Sequence, residues 1–314
     1  MKLLKYVKII FTILFAIFII MNTIAFFHAY KFTHFSNSKA EKTKSPEKLT
    51  SFEKAKILFF GVNNPKPKST KFPSQEYQTL KLQSNKEIEC WLIKTEKSKG
   101  TVILFHGYGG EKSLMIEKSD KFIKLGYSTM LVDFMGSGNS EGNQTTIGYK
   151  ESEEVKTTFD YLRQTGEKNI YLFGTSMGAV AIMKSIHDDK IKPKAIILEC
   201  PFGSMYETVY ARFKRANAPT FPMARMLLFW GGIENGFWAF SHNPTAYAKS
   251  ITCPTLLLYG QKDKSVSLTE INQIYANLKG SKKLNTYKDT GHENYLIKNK
   301  IEWVKDISGF LKST

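Results

Sequence analysis

Residues 169–178 read Asn-Ile-Tyr-Leu-Phe-Gly-Thr-Ser-Met-Gly, an apolar run that enters Gly-x-Ser-x-Gly and continues into the helix-forming stretch Ala179-Val180-Ala181-Ile182-Met183. A strand, a sharp turn and a helix with serine at the apex lift a hydroxyl clear of its own backbone, where it can attack a carbonyl. Ser176 is the candidate nucleophile, and Gly174 and Gly178 make room for the turn. Such an attack needs a base beside the hydroxyl, an acid that orients the base, and N–H donors for the oxyanion. Both partners follow in the order the elbow requires. Asp263 lies in the loop 261–266 after the apolar run 254–260, and His292 lies in the loop 289–294 after a last strand at 284–287.

Each residue also has a bland use. Serine caps helices and aspartate favours turns. The other histidines fit a base less well: His28 and His34 follow an apolar N-terminus, His106 opens a glycine-rich run, His187 ends the elbow helix and His242 precedes a proline turn. Glu199, at the end of the strand 195–199, is the alternative acid. Asp133, after the strand 128–132, precedes the elbow and reads as structural.

The elements that must position these groups are legible from periodicity. After Thr101, short apolar runs alternate with helical stretches at 112–125, 149–164, 177–187 and 269–278. That alternation predicts an α/β fold, a mostly parallel sheet with helices on both faces. Residues 77–82 and 87–93, joined by Ser84-Asn85-Lys86, read as an antiparallel hairpin at its edge. Residues 201–247 interrupt the alternation with Phe202, Tyr206, Phe229, Trp230, Phe237 and Trp238 among other aromatics. Most of these rings are expected to pack the segment down, and a few to line an apolar pocket.

From about Tyr77 to Leu311 the chain resembles the α/β-hydrolases, in the branch of monoglyceride lipases, serine esterases and related membrane-tethered hydrolases. The matching pieces are His106-Gly107-Tyr108-Gly109-Gly110, the stretch from Val132 to Gly142, the elbow, Gly260-Gln261-Lys262-Asp263 and Thr290-Gly291-His292. Met135 departs from the pattern, standing where an arginine or similar polar residue is common. The resemblance implies a catalytic set of Ser176, Asp263 and His292, with the backbone N–H groups of Tyr108 and Met177 as the oxyanion hole. It also implies a helical lid at about 201–247, a small-molecule acyl substrate and no cofactor. The expected activity is cleavage of a carboxylic ester or related acyl bond through an acyl-enzyme on Ser176. The alternatives are an acyltransferase using the same triad and a catalytically silent hydrolase fold that only binds.

Residues 9–27 are free of charge over 19 positions, about 28 Å as helix and enough for a bilayer core. Lys2, Lys5 and Lys8 precede them. An uncleaved transmembrane helix is expected over a cleaved signal peptide, because the apolar stretch is long and no Ala-x-Ala-like site follows it. The basic tail favours a cytoplasmic N-terminus and an extracytoplasmic catalytic domain, although Lys31, Lys39, Lys42, Lys44 and Lys48 pull the other way. The expected organisation is an anchor at 1–30, a tether and linker at 31–73 containing a short helix at 51–60, and a hydrolase domain at 74–314.

The net charge of +17 comes almost wholly from lysine, with arginine only at 163, 212, 215 and 225. Readers of nucleic acid lean on arginine forks, so no nucleic-acid partner is expected; attraction to an anionic membrane suits the lysines better. Cys90, Cys200 and Cys253 are too few for a disulfide framework and read as buried thiols, and no His or Cys spacing suggests a metal site.

Overall fold

The computed structural model describes residues 2–36, 43 and 49–314. The strands are β1 (Gln78–Gln83), β2 (Glu87–Ile93), β3 (Thr101–Phe105), β4 (Ser128–Val132), β5 (Ile170–Thr175), β6 (Ala195–Glu199), β7 (Thr255–Gly260) and β8 (Lys282–Tyr287). They form one sheet in the order β1-β2-β4-β3-β5-β6-β7-β8. β1 and β2 pair antiparallel, β2 runs antiparallel to β4, and every later pairing is parallel. This is the mostly parallel α/β sheet expected from the alternating pattern, in the α/β-hydrolase arrangement that the resemblance implies.

The helices are α1 (Lys2–Thr33), α2 (Ser51–Phe60), α3 (Ile116–Lys124), α4 (Glu151–Gln164), α5 (Met177–Asp189), α6 (Met205–Arg215), α7 (Met223–Asn235), α8 (Pro244–Tyr247), α9 (Leu268–Asn277), α10 (Tyr295–Lys298) and α11 (Lys300–Lys312). Every residue of β3, β4, β6 and β7 is buried, as both faces of a parallel sheet must be when crossover helices cover them. On one face Val155 and Phe159 of α4, the elbow helix α5 and Ile271 and Ile274 of α9 pack together. On the other, Phe122 of α3 meets Trp303, Ile307 and Phe310 of α11. α9 starts on a capping box, in which the Ser267 side chain accepts from the Glu270 N–H while Glu270 accepts from the Ser267 N–H.

Between β6 and β7, where the sequence loses its alternation, α6, α7 and α8 rise over the carboxyl ends of the strands. Glu270 holds the start of this segment by accepting from the Gly203 N–H at 2.9 Å.

α1 has two environments. Leu3 and most of the large apolar side chains as far as Ile20 are exposed, whereas Ala25 and Ala29 are buried. The helix is long and apolar enough to cross a membrane and supports a single-pass anchor. Its last turns lie against α7: Phe26 meets the Trp230 ring edge-on at 5.3 Å, and the Trp230 indole N–H donates to Asn22 Oδ1 at 3.1 Å.

The segment expected to act as a tether is pinned at its ends. α1 continues to Thr33, whose carbonyl accepts from Thr145 N–H at 2.8 Å; Phe35 N–H donates to Asn143 O, and Ser36 N–H to Asn64 O. Lys66 Nζ in turn bonds the carbonyls of Ser140 and Gly142. Backbone groups drawn in from water need partners, and the loop 140–145 supplies them; polar, proline-containing sequence carries no periodicity from which that pairing could be read. The centre of the lysine-rich stretch 36–50, at residues 37–42 and 44–48, lies outside the described residues. α2 forms as expected on its own capping box, Thr50 with Glu53.

Candidate active site

Ser176 sits between β5 and α5 with φ 51° and ψ −110°, a backbone state that costs an L-residue about 1–3 kcal/mol. The surroundings enforce it. Its N–H donates to Glu199 O at 2.7 Å, tying the turn to the neighbouring strand. A Cβ on Gly174 would lie 2.5 Å from Ala179 N, and one on Gly178 would lie 2.5 Å from Phe105 O. The two glycines let α5 close on β5 and β3, and the serine is left at the apex.

His292 and Asp263 come to the same place on the loops after β8 and β7. These loops are stitched together: Lys262 N–H donates to Thr290 O at 2.9 Å, and a Cβ on Gly260 would lie 2.4 Å from that carbonyl. The Asp263 side chain is fully buried. Its Oδ1 accepts from the Ser265 and Val266 N–H groups at 2.7 and 3.0 Å, which fixes the carboxylate and leaves Oδ2 for His292 Nδ1 at 2.7 Å. His292 Nε2 is 3.1 Å from Ser176 Oγ. With Nδ1–H donating to the carboxylate, Nε2 is free to accept from the serine hydroxyl. Burial disfavours the imidazolium, but the Cys200 sulfur and the Asp263 carboxylate outweigh it and hold His292 well above the usual imidazole range.

The two expected oxyanion donors lie on either side of this apex. Met177 opens α5, so its N–H has no carbonyl one turn back to bond and points with the positive end of the helix dipole. Tyr108 belongs to the loop after β3, where a Cβ on the preceding Gly107 would come 3.6 Å from Ser176 Cβ. The Tyr108 ring turns away, stacking on Phe32 of α1 at 4.7 Å, with its hydroxyl donating to Phe32 O at 2.7 Å.

The rival residues are occupied elsewhere. Glu199 accepts from Lys118 Nζ at 2.5 Å, from Trp303 Nε1 at 2.7 Å and from Thr175 Oγ1 at 3.0 Å, all beneath the elbow. Asp133 binds the backbone N–H of Lys112 at 2.7 Å and that of Asn139 at 3.1 Å, and pairs with Lys112 Nζ. His106 is fully buried, with Nδ1 donating to Gly107 O and Nε2 accepting from Phe134 N–H, a neutral ring whose pKa burial lowers. His242 is likewise buried between Ile147 O and the Tyr247 hydroxyl, and burial pushes its pKa down to about 4.

Cys200 was expected only as a buried thiol. It is buried, as is Cys90, whereas Cys253 is half-exposed. The Cys200 sulfur and the ligand atoms of Asp263 and His292 all lie within 4.8 Å of one another. Its position directly after β6 gave no sign of this, because the contact is made across three separate loops. An ion gripped by these three would compete with the imidazole–carboxylate hydrogen bond.

The aromatics of the segment 201–247 divide by role. Trp230 binds the anchor helix, and Trp238 is half-exposed at the surface. Phe237 stacks on Tyr149 at 4.2 Å and also lines a cavity against α1.

A serine at an elbow, within reach of a histidine held by a buried aspartate at the carboxyl end of a mostly parallel sheet, is the arrangement of a serine hydrolase. A family profile described as serine aminopeptidase S33 matches residues 96–230. The fold is the α/β-hydrolase fold with an N-terminal apolar helix, and within it residues 96–230 are similar to the S33 serine aminopeptidases.

Among relatives, the zebrafish (Danio rerio) lysophosphatidylserine lipase ABHD12 is 28% identical over 213 residues, 63% of this chain and 52% of that protein. The chain therefore spans about half the length of that lipase. YqkD of Bacillus subtilis is 22% identical over 229 residues, covering 72% of this chain and 75% of that protein. Among solved structures, the Pyrococcus furiosus esterase Pf2001 superposes with a TM-score of 0.65 at 23% identity, covering 80% of this chain and 99% of that one. Est1E of Butyrivibrio proteoclasticus, solved with ferulic acid, gives 0.57 at 18% identity, covering 73% and 97%. These two likenesses concern the fold.

Proposed function

We propose that the protein is a membrane-anchored carboxylic ester hydrolase acting through an acyl-enzyme on Ser176. The observation that carries this reading is the continuous line from Asp263 Oδ2 to His292 Nδ1 at 2.7 Å and from His292 Nε2 to Ser176 Oγ at 3.1 Å. Ser176 Oγ attacks the acyl carbon while His292 Nε2 takes the hydroxyl proton, and Asp263 stabilises the resulting imidazolium. The N–H groups of Met177 and Tyr108 receive the oxyanion. Collapse breaks the ester C–O bond, and the alkoxide leaves with the proton from His292. Water then attacks the acyl-serine, giving its proton to His292, and the acid departs as Oγ recovers a proton.

The substrate class proposed is a monoacyl lipid ester. The apolar lid and the anchor favour it, and a relative is a lysophosphatidylserine lipase. The packing of α1 against α7 supports an anchor that stays on the mature protein, since its removal would uncover Trp230 and the cavity wall at Leu228 and Gly231. The basic Lys2, Lys5 and Lys8 favour a catalytic domain outside the cytoplasm, to be checked by protease digestion of intact cells. If the domain is instead degraded only after the cells are opened, the orientation is the opposite one.

The test of the reaction is a comparison of purified full-length protein on p-nitrophenyl esters, a lysophospholipid and an aminoacyl p-nitroanilide. Hydrolysis of the esters with little turnover of the anilide is expected. Turnover of the anilide alone would replace the ester reading with a peptidase.

A further inference from the structure

A narrow apolar cavity lies between the end of the anchor helix and the lid. Ala29, Phe32 and Thr33 of α1 form one side of it, Leu227, Leu228 and Gly231 of α7 another. Thr146 and Ile147 make its floor and Val209 of α6 part of its roof. The hydroxyls on its walls are satisfied away from it, Thr33 Oγ1 donating to Ala29 O and Thr146 Oγ1 to the Glu151 carboxylate, so the surface it offers is hydrocarbon. A dry apolar cavity takes an apolar group.

Two contacts join this cavity to the reacting serine. Phe32 stacks on the Tyr108 ring at 4.7 Å and has the Arg212 guanidinium over its own ring at 4.4 Å, so an anchor residue rests directly on the loop expected to supply one oxyanion donor. At the floor, Thr145 Oγ1 lies 3.4 Å from Met177 Sδ, and a Cβ on Gly148 would meet Met177 O at 3.0 Å. The cavity is thus separated by one layer of residues, Phe32 on one side and the 145–148 loop on the other, from Tyr108 and Met177, the two residues expected to supply oxyanion donors. In the other direction, the same helix continues into the exposed apolar turns from Leu3 to Ile20 that suit a bilayer.

We propose that the last turns of α1 form a wall of the acyl-binding site, and that a single aliphatic chain of the substrate passes from the bilayer into the seam between α1 and α7. This rests on the ester-hydrolase reading of Ser176. Two small residues face each other across the seam: a Cβ built on Gly231 would meet Ala29 Cβ at 3.9 Å, an ordinary contact distance, so a larger side chain at either position occupies the space between the helices. The anchor is then part of the enzyme's specificity as well as its tether. A chain lacking residues before Ser45 would lose that wall.

The experiment uses full-length protein in detergent micelles, with p-nitrophenyl esters from acetate to dodecanoate and fluorophosphonate labelling run in parallel. Ala29→Leu fills the seam from the anchor and Gly231→Leu fills it from the lid. For the wild type, kcat/KM rises with chain length by up to about fourfold per buried methylene, the equivalent of about 0.8 kcal/mol, until the cavity is full. Each variant should lose about tenfold or more on the longer esters, the equivalent of two methylenes on that scale, while acetate turnover and labelling stay near wild type. Ile13→Leu, on the exposed half of α1, should change neither. Unaltered chain-length profiles in both filling variants, with labelling intact, would overturn the proposal. Wild-type protein that neither labels nor cleaves acetate would instead overturn the hydrolase reading beneath it.

Discussion

Asp263 and Glu199 stand at the carboxyl ends of neighbouring parallel strands, and both side chains are fully removed from water. Either could be the acid of a serine hydrolase by position in the chain. What separates them is how their oxygens are employed. Glu199 meets a lysine ammonium, an indole N–H and a threonine hydroxyl, so its charge is neutralised within the scaffold. Asp263 has one oxygen fixed by two backbone N–H groups of its own loop and the other facing His292. Buried carboxylates of equal exposure thus divide into one that holds the fold and one placed to act on an imidazole, and the division is made by partners rather than by depth.

The sharpest way to break this comparison is to neutralise each acid without changing its shape. Asp263→Asn should lower kcat by about 10⁴-fold, because an amide facing Nδ1 favours the wrong imidazole tautomer, and should leave the melting temperature nearly unchanged. Glu199→Gln should do the reverse. Removing one partner strands the buried Lys118 ammonium, at a cost of about 3–5 kcal/mol in unfolding free energy, while activity per folded molecule falls far less. Steady-state kinetics beside denaturant melts reads both effects, and the opposite pattern would move the acid to Glu199.

A smaller effect concerns pH. His292 must be neutral to accept the serine proton, and its pKa in the folded protein is raised. The rate should therefore climb as pH rises through that raised value, placing the acid limb of kcat/KM above the ordinary imidazole value of about 6.5. Residual activity of Asp263→Asn should show the limb moved to lower pH, since one of the groups favouring the imidazolium is gone; Glu199→Gln should leave it in place. A limb that fails to move in Asp263→Asn would mean the carboxylate does not act on this ring.

Much of this arrangement was legible in the chain because it depends on local rules. Strand, glycine, serine, glycine and helix must follow one another for the elbow to form, and the loops bearing Asp263 and His292 each follow a short apolar strand. The assignment between Asp263 and Glu199 was not decided by local pattern, since it turns on Lys118 and Trp303, which arrive from α3 and α11 across the sheet. Cys200 beside His292 was invisible for the same reason. The sequence shows α1 as an apolar helix of membrane length, but it hides the packing of the last turns: Ala25, Ala29 and Phe32 look like any lipid-facing residues until α7 presents Gly231 and Trp230 to that end of the helix. Trp230 and Trp238, the most conspicuous aromatics of the segment 201–247 in the sequence, line no part of the cavity, whereas Phe237 does.

The central claim is that Ser176 is the nucleophile made reactive by His292 and Asp263. Its most direct test is intact-protein mass spectrometry after brief exposure to a fluorophosphonate, with the adduct located by digestion. Wild-type protein should gain a single adduct on the peptide carrying Ser176, Ser176→Ala should gain none while keeping the wild-type melting temperature, and Asp263→Asn should label far more slowly. An adduct that persists in well-folded Ser176→Ala, or that maps to another residue in the wild type, would contradict the account.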